Sequence, residues 1–283
     1  MAIPVFTTIE ATREHLATFR KEQRTIALVP TMGALHAGHL ELIEAAKEVA
    51  QAVVVSIFVN PLQFGQGEDL ERYPRTFEAD LRQLEQLGVD AVFHPDASEM
   101  YPEGVSATKI SSGHVGTILE GRSRPGHFDG VLTVVSKLFN VVQPDFALFG
   151  QKDAQQLFVV KRMARELNFP IQVIGVETVR EPDGLALSSR NRFLTDGQRR
   201  DALALSRALD AAVCAADRGV ETMLAAAQSV FQGDSAVALD YLAIVHPETF
   251  AFVGDDHHGD ATVVIAAKVG NVRLIDNRSV RIP

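Results

Sequence analysis

Apolar residues recur along the first part of the chain in two alternating rhythms. Short runs rich in β-branched residues, Thr25 to Pro30, Ala52 to Val59, Ala91 to His94, Phe146 to Phe149 and Ile171 to Val176, read as strands. Between them lie stretches of helical spacing, one from Gly38 and others over Thr76 to Leu87, Gly130 to Val142 and Asp153 to Leu167. Phe77, Leu81, Leu84 and Leu87 share one helical face, and Leu157, Val160, Ala164 and Leu167 share another, so both stripes are expected to be core. Strand and helix in alternation imply parallel strands with right-handed crossovers and helices on both faces. Ligands of such sheets bind beyond the carboxyl ends of the strands.

The rhythm changes after residue 176. A turn at Glu181-Pro182-Asp183-Gly184 predicts a hairpin joining Val173–Arg180 to Leu185–Ser189. Thr195 opens an Ala- and Leu-rich helix with Leu205, Leu209 and Val213 aligned, and strands are expected at Tyr241–Val245, Ala261–Ala267 and Val272–Ile275. The expected organisation is an α/β domain over residues 1–176 and a smaller C-terminal α+β domain over 177–283.

A length of 283 residues suits two domains, and a formal charge of -9 argues against a broad nucleic-acid or anionic-membrane surface. The single cysteine, Cys214, excludes an internal disulfide and is expected on the apolar face of a helix. No basic start with an apolar signal core and no membrane-length apolar run is seen, so the expectation is a soluble cytoplasmic protein.

The chemistry concentrates at strand ends. The first predicted strand runs into Pro-Thr-Met-Gly-Ala-Leu-His-Ala-Gly-His, Pro30 to His39, which opens a helix. Such a turn is expected to aim free backbone N–H groups and the positive helix end at a phosphate, with His36 and His39 on one face as further donors. Gly38 leaves room for close approach of a ligand. Two histidines could form part of a metal site, but no Cys or acidic ligand stands at metal spacing beside them. Gln63, in the segment Asn60 to Gly65 after the second strand, and Gln156 offer neutral amides for a hydroxy-acid whose carboxylate must stay nucleophilic. At Gly150-Gln151-Lys152-Asp153 a lysine can counter polyphosphate charge, and the aspartate can cap a helix or assist a magnesium ion. Ser188-Ser189-Arg190-Asn191 offers hydroxyls and a guanidinium for triphosphate oxygens, or a solvated turn. The charged loop Gly65 to Arg75, with Glu68, Asp69, Arg72 and Tyr73, reads as a lid; Gly121 to Asp129, with Arg122, Arg124 and His127, reads as a structural or gating segment. Asp255-Asp256-His257-His258-Gly259-Asp260 has the composition of a metal cluster but reads as a solvated turn, and no metal ligands are assigned.

These motifs in this order resemble the pantothenate synthetase family, the pantoate and β-alanine ligases of the His-x-Gly-His nucleotidyltransferase superfamily. The likeness is dense from Pro30 to Leu194: PTMGALHAGH, NPLQF, YPRT, RPGHFDGVLTVVSKLFN from Arg124, PDFALFGQKDAQQ from Pro144 and LALSSRN from Leu185. Beyond Leu194 it thins to fragments such as Arg273-Leu274-Ile275-Asp276-Asn277. Ala37, where glutamate is frequent, and Leu187, where methionine is common, depart from the family's pattern. The resemblance implies a Rossmann-like doubly wound parallel sheet of the nucleotidyltransferase type and an ATP-dependent ligase. Pantoate carboxylate would attack the α-phosphorus of ATP, releasing pyrophosphate, and β-alanine would convert the enclosed pantoyl adenylate to pantothenate and AMP. It further implies that ATP is surrounded by Met32, Gly33, Ala34, Leu35, His36, Ala37, Gly38, His39, Gly150, Gln151, Lys152, Asp153, Val179, Leu187, Ser188, Ser189 and Arg190. Gln63 and Gln156 would hold pantoate, Gln63 would also touch β-alanine, and His39 takes the family's proton-donor role. An in-line displacement chiefly needs electrostatic support, which His36, His39, Lys152 and Arg190 could supply, with Mg2+ bridging the phosphates. A homodimer is expected by analogy, with the apolar strand Ala52 to Val59 as a candidate shared edge. The competing classes are a cytidylyl- or adenylyl-transferase, a tRNA-charging enzyme and a nucleotide-sensing module.

Overall fold

The structure, a computed structural model, describes residues 3–65, 70–71, 73–104, 108–232 and 236–283. Two compact units emerge, Met1–Gln151 with Val159–Val176, and Lys152–Phe158 with Glu177–Pro283. No helix among the described residues is long and apolar enough to cross a membrane.

The first unit contains β1 (Val5–Phe6), α1 (Ile9–Lys21), β2 (Ile26–Thr31), α2 (Ala37–Val49), β3 (Ala52–Ile57), α3 (Phe77–Gln86), β4 (Ala91–Phe93), α4 (Ala97–Met100), α5 (Glu120–Ser123), α6 (His127–Val142), β5 (Phe146–Gly150), most of α7 (Ala154–Glu166) and β6 (Gln172–Val176). Six parallel strands run in the order β1-β4-β3-β2-β5-β6. The chain winds outward from β2 through β3 and β4, then returns to β5 on the other side, so β2 and β5 flank the topological switch point. Pairing is complete from Ile26↔Ala52 to Thr31↔Ile57 between β2 and β3, but β2 and β5 register only at Ala27↔Phe146 and Leu28↔Ala147. Ladder pairing between β2 and β5 thus stops short of their carboxyl ends, the end of the sheet from which the histidine loop leaves β2.

Several expectations change in this unit. The strand predicted over Ala52 to Val59 ends at Ile57 and lies between β4 and β2, so β3 has no free edge to share with a second copy. Leu167 falls past the end of α7 and is 52% exposed, leaving the core stripe. β1 and α1 escape the periodicity reading. α1 is capped by Thr8, whose side chain accepts from Ala11 N–H, and buries Leu16 and Phe19. α6 is apolar on nearly all sides and buried along most of its length.

In the second unit α8 (Asp196–Cys214) and α9 (Val220–Ser229) accompany an antiparallel sheet of β7 (Val237–Val245), β8 (Gly259–Val269) and β9 (Val272–Ile282), with β8 in the middle. Thr195 and Gln198 form a capping box at the start of α8. Small residues on its inner face, Ala202, Ala208 and Ala212, join Val263, Ile265 and Ala267 in one core. Cys214 is exposed at the end of α8, not on its apolar face. The predicted hairpin is short. Val173–Val176 belong to the parallel sheet, and antiparallel pairing is confined to a bridge between Arg180 and Ala186 with flanking backbone bonds.

Candidate active site

The loop between β2 and α2 is held by a buried carboxylate. Asp80, 1% exposed in the first turn of α3, accepts from Ala34 N–H and Leu35 N–H at 2.9 Å each, and Thr76 Oγ1 donates to both its oxygens at 3.2 and 3.1 Å. Gly33 N–H is taken by Thr31 Oγ1 at 3.2 Å. The expectation that these amides wait free for phosphate is thus corrected: Asp80 occupies that anion seat, because a carboxylate is the internal equivalent of a phosphate. Gly33 has φ +80°, and a Cβ there would press on Asp80 and Ile57.

The histidines cap the helix themselves. His36 Nδ1 accepts from Gly38 N–H at 3.2 Å, and His39 Nδ1 accepts from His36 N–H at 3.3 Å, a capping box built from two imidazoles. An Nδ1 that accepts carries no proton, so both rings are Nε2–H tautomers. The ring centroids are 4.0 Å apart and both side chains are half-buried. Two N–H donors are thereby fixed at a positive helix end on the carboxyl side of β2. Gly38 gives the His36 ring room to lie close to the helix start, since a Cβ would stand 3.1 Å from it. Met32 and Ala37 flank the same segment, Met32 half-buried and Ala37 exposed.

Gln63 closes a 3-10 turn, Pro61–Gln63, directly after β3. Its carbonyl accepts from His127 Nδ1 at 2.9 Å and from Arg124 NH2 at 3.2 Å, while Arg124 NH1 donates to His127 Nε2 at 2.9 Å. Asn60, fully buried, supports the turn: its Nδ2 donates to Gly130 carbonyl at 3.1 Å and its Oδ1 accepts from Tyr101 hydroxyl at 2.8 Å. Burial pushes the Tyr101 hydroxyl well above the usual phenol range. Gly130 lets α6 touch the turn, because a Cβ there would sit 2.1 Å from Leu62 carbonyl oxygen. The side-chain amide of Gln63 has no hydrogen-bond partner among the described residues. Of the expected lid, Glu68, Asp69 and Arg72 lie outside the described residues; Tyr73 stacks edge-on to Phe64 at 6.0 Å.

Gly150 ends β5 opposite Val176, and Gln151 N–H donates to Val176 carbonyl at 2.8 Å. In the second unit, Lys152 Nζ stands 3.8 Å from Asp153 Oδ2, the lysine largely covered and the aspartate half-exposed. Gln156 is half-buried in the first turn of α7. Val179 and Leu187 face each other across the short hairpin, Leu187 N–H donating to Val179 carbonyl at 3.0 Å. Ser188 Oγ caps the 3-10 turn Ser189–Phe193 by accepting from Arg190 N–H at 3.2 Å, and Arg190 is exposed. In the Asp255–His258 cluster each side chain that bonds does so within its own unit: Asp255 accepts from Glu221 N–H at 2.8 Å, His257 Nε2 contacts Asp260 carbonyl at 3.1 Å, and His258 contacts Pro283 carbonyl.

Asp80, Asn60 and the Arg124–His127 clamp were not among the predicted site residues. One signal for Asp80 exists in the sequence: it stands three after Phe77 and four before Leu84, so it shares their apolar face. An acid on that face is buried and must have partners.

A parallel sheet whose switch point carries a His-Ala-Gly-His helix start defines a nucleotide-binding enzyme of the nucleotidyltransferase type. The family profile described as pantoate-beta-alanine ligase matches residues 4–279. A pantothenate synthetase of Leifsonia xyli subsp. xyli is 52% identical over 98% of this chain and 100% of its own. The crystal structure of pantothenate synthetase from Thermus thermophilus superposes with a TM-score of 0.91 at 46% identity, covering 98% and 99% of the two chains. That of pantoate-beta-alanine ligase from Francisella tularensis, complexed with beta-gamma ATP and beta-alanine, gives 0.81 at 34% identity, covering 98% and 97%. The chain belongs to the pantoate-beta-alanine ligase family.

Proposed function

We infer that this enzyme joins pantoate to β-alanine in two steps that share one enclosed intermediate. In the first, a pantoate carboxylate oxygen bonds to the α-phosphorus of ATP as the bond to pyrophosphate breaks. In the second, the β-alanine amine attacks the acyl carbon of pantoyl adenylate, the amide forms, AMP leaves and the amine loses a proton. The observation that carries this reading is the paired-imidazole cap. His36 and His39 spend Nδ1 on the helix and offer Nε2–H to phosphoryl oxygens, a preorganised electrostatic role in which charge growing during in-line displacement is met by fixed donors. With Nδ1 accepting from His36 N–H, His39 supports the leaving pyrophosphate by hydrogen bonding from Nε2–H and keeps its proton, and pyrophosphate leaves as the anion. Lys152 and Arg190 supply the charge for the outer phosphates, and Met32–His39, Gly150–Asp153, Val179 and Leu187–Arg190 are the ATP residues. Gln63 and Gln156 hold pantoate, and Gln63 also meets β-alanine; neutral amides orient a carboxylate without quenching it as a tight cationic clamp would. Mg2+ is the ion expected with the triphosphate, and the Asp153 carboxylate beside Lys152 would be the protein oxygen offered to it. A homodimer completes the proposal and is checked by the mass in solution.

The test is AMP formation with ATP, pantoate and β-alanine, each omitted in turn. AMP should appear only with all three, while pyrophosphate exchange into ATP should need pantoate alone. Exchange without pantoate would point to an adenylyl-transferase and reject this reading.

A further inference from the structure

In the second unit one polar cluster ties together three stretches distant in sequence. Asp276, 4% exposed on β9, receives both guanidinium nitrogens of Arg180 at 2.7 and 2.9 Å. Arg180 also donates to Gly184 carbonyl at 3.1 Å and Asn277 carbonyl at 3.3 Å, so it binds the hairpin to β9. Next along the strand, Asn277 N–H donates to Asp276 Oδ1 at 2.8 Å, and its side-chain Nδ2 donates to Lys152 carbonyl at 2.8 Å, across 125 residues of sequence. The hydrogen bonds that Arg180 donates to Asp276 hold its guanidinium charged above its ordinary range. Neither Asp276 nor Asn277 is among the residues proposed above for the reaction. Yet together they fix the backbone of Lys152 and the turn from which Val179 and Leu187 project.

We propose that Asn277 is a positioning residue for Lys152, with Asp276 and Arg180 holding the hairpin to the same strand. A lysine ammonium sits on a long flexible stem, so the place it can reach is set by its backbone. An Asn fits the role because its amide donates to the carbonyl while its short stem is locked in a buried strand. The inference rests on the reading that Lys152 serves the triphosphate, and the test separates the two.

Asn277→Asp removes the donor at nearly constant volume, and Asn277→Ala removes the whole amide. Each should lower kcat/KM for ATP by about tenfold to a hundredfold, the scale of a misplaced catalytic group. Hydrogen exchange at amides 153–156 should quicken while the protein still melts cooperatively. In a Lys152→Ala background Asn277→Asp should cost less than about twofold more, because the group it positions is gone. Wild-type kinetics in Asn277→Asp, or a loss that multiplies with that of Lys152→Ala, would overturn the proposal with the reading of Lys152 intact. Near wild-type activity in Lys152→Ala would instead overturn that reading and this inference with it. Failure of both Asn277 variants to fold would assign Asn277 to the core alone and equally overturn it.

Discussion

Each histidine of the His-Ala-Gly-His segment divides its work between two nitrogens, and the division can be tested by substitution. Asn is among the best helix N-caps, so His36→Asn keeps an acceptor for Gly38 N–H but has no donor where Nε2–H stood. Stability should change by less than about 0.5 kcal/mol, while turnover should fall by roughly 10² to 10³, the cost of one preorganised donor. His39→Ala should show the same loss of turnover with pantoate binding retained. Thermal melting and steady-state kinetics on both variants decide the matter; near wild-type turnover in both would remove the imidazoles from the chemistry. The motif was legible because residue types and spacing carry it. Its wiring was not, because Asp80 reaches Ala34 N–H from 46 residues away.

At the scale of elements, the turn bearing Gln63 is shaped by α6. The helical pattern over Gly130 to Val142 made this helix readable, but its first turn begins earlier, at His127, and that turn supplies the histidine of the clamp on Gln63 carbonyl. A glycine inside a helix costs about 1 kcal/mol relative to alanine, so its presence at 130 needs a reason. The reason is contact: a Cβ would lie 2.1 Å from Leu62 oxygen and 2.5 Å from Leu62 carbonyl carbon, distances only a backbone shift can relieve. Gly130→Ala should therefore destabilise the protein by about 1–3 kcal/mol, as overpacking does, despite the better helix propensity of alanine. It should also raise KM for pantoate more than KM for ATP, since the displaced turn carries Gln63 and not the histidines. Equal changes in the two constants, or a more stable protein, would refute this account. Short elements such as β1 hid from the pattern because two residues cannot establish a period.

For the whole molecule, two cores formed from different sequence rhythms stand behind the legibility of the fold: β-branched strands with amphipathic helices in one, an Ala-lined helix against antiparallel strands in the other. What the rhythms do not carry is long-range polar wiring, which obeys no period. Residues 152–158 group with the second unit although α7 is one helix from Ala154 to Glu166. Wiring of this kind also sets the acid response. Arg199 donates to Glu181 at 3.0 Å and to Asp183 at 2.7 Å, joining α8 to the hairpin. Hydrogen bonding from Arg199 lowers the Glu181 carboxyl from its ordinary 4.5. A group whose pKa is depressed by folding gives stability that is present above its unfolded value and is lost as pH falls through its folded one. The pair is partly exposed, so its worth is below about 1 kcal/mol. Arg199→Met should therefore melt slightly below wild type at neutral pH, and the gap should narrow as pH falls below the ordinary carboxylate range and Glu181 takes up its proton. A gap that stays constant across that range would show that Arg199 stabilises the hairpin through packing of its stem, independent of the carboxylates it faces.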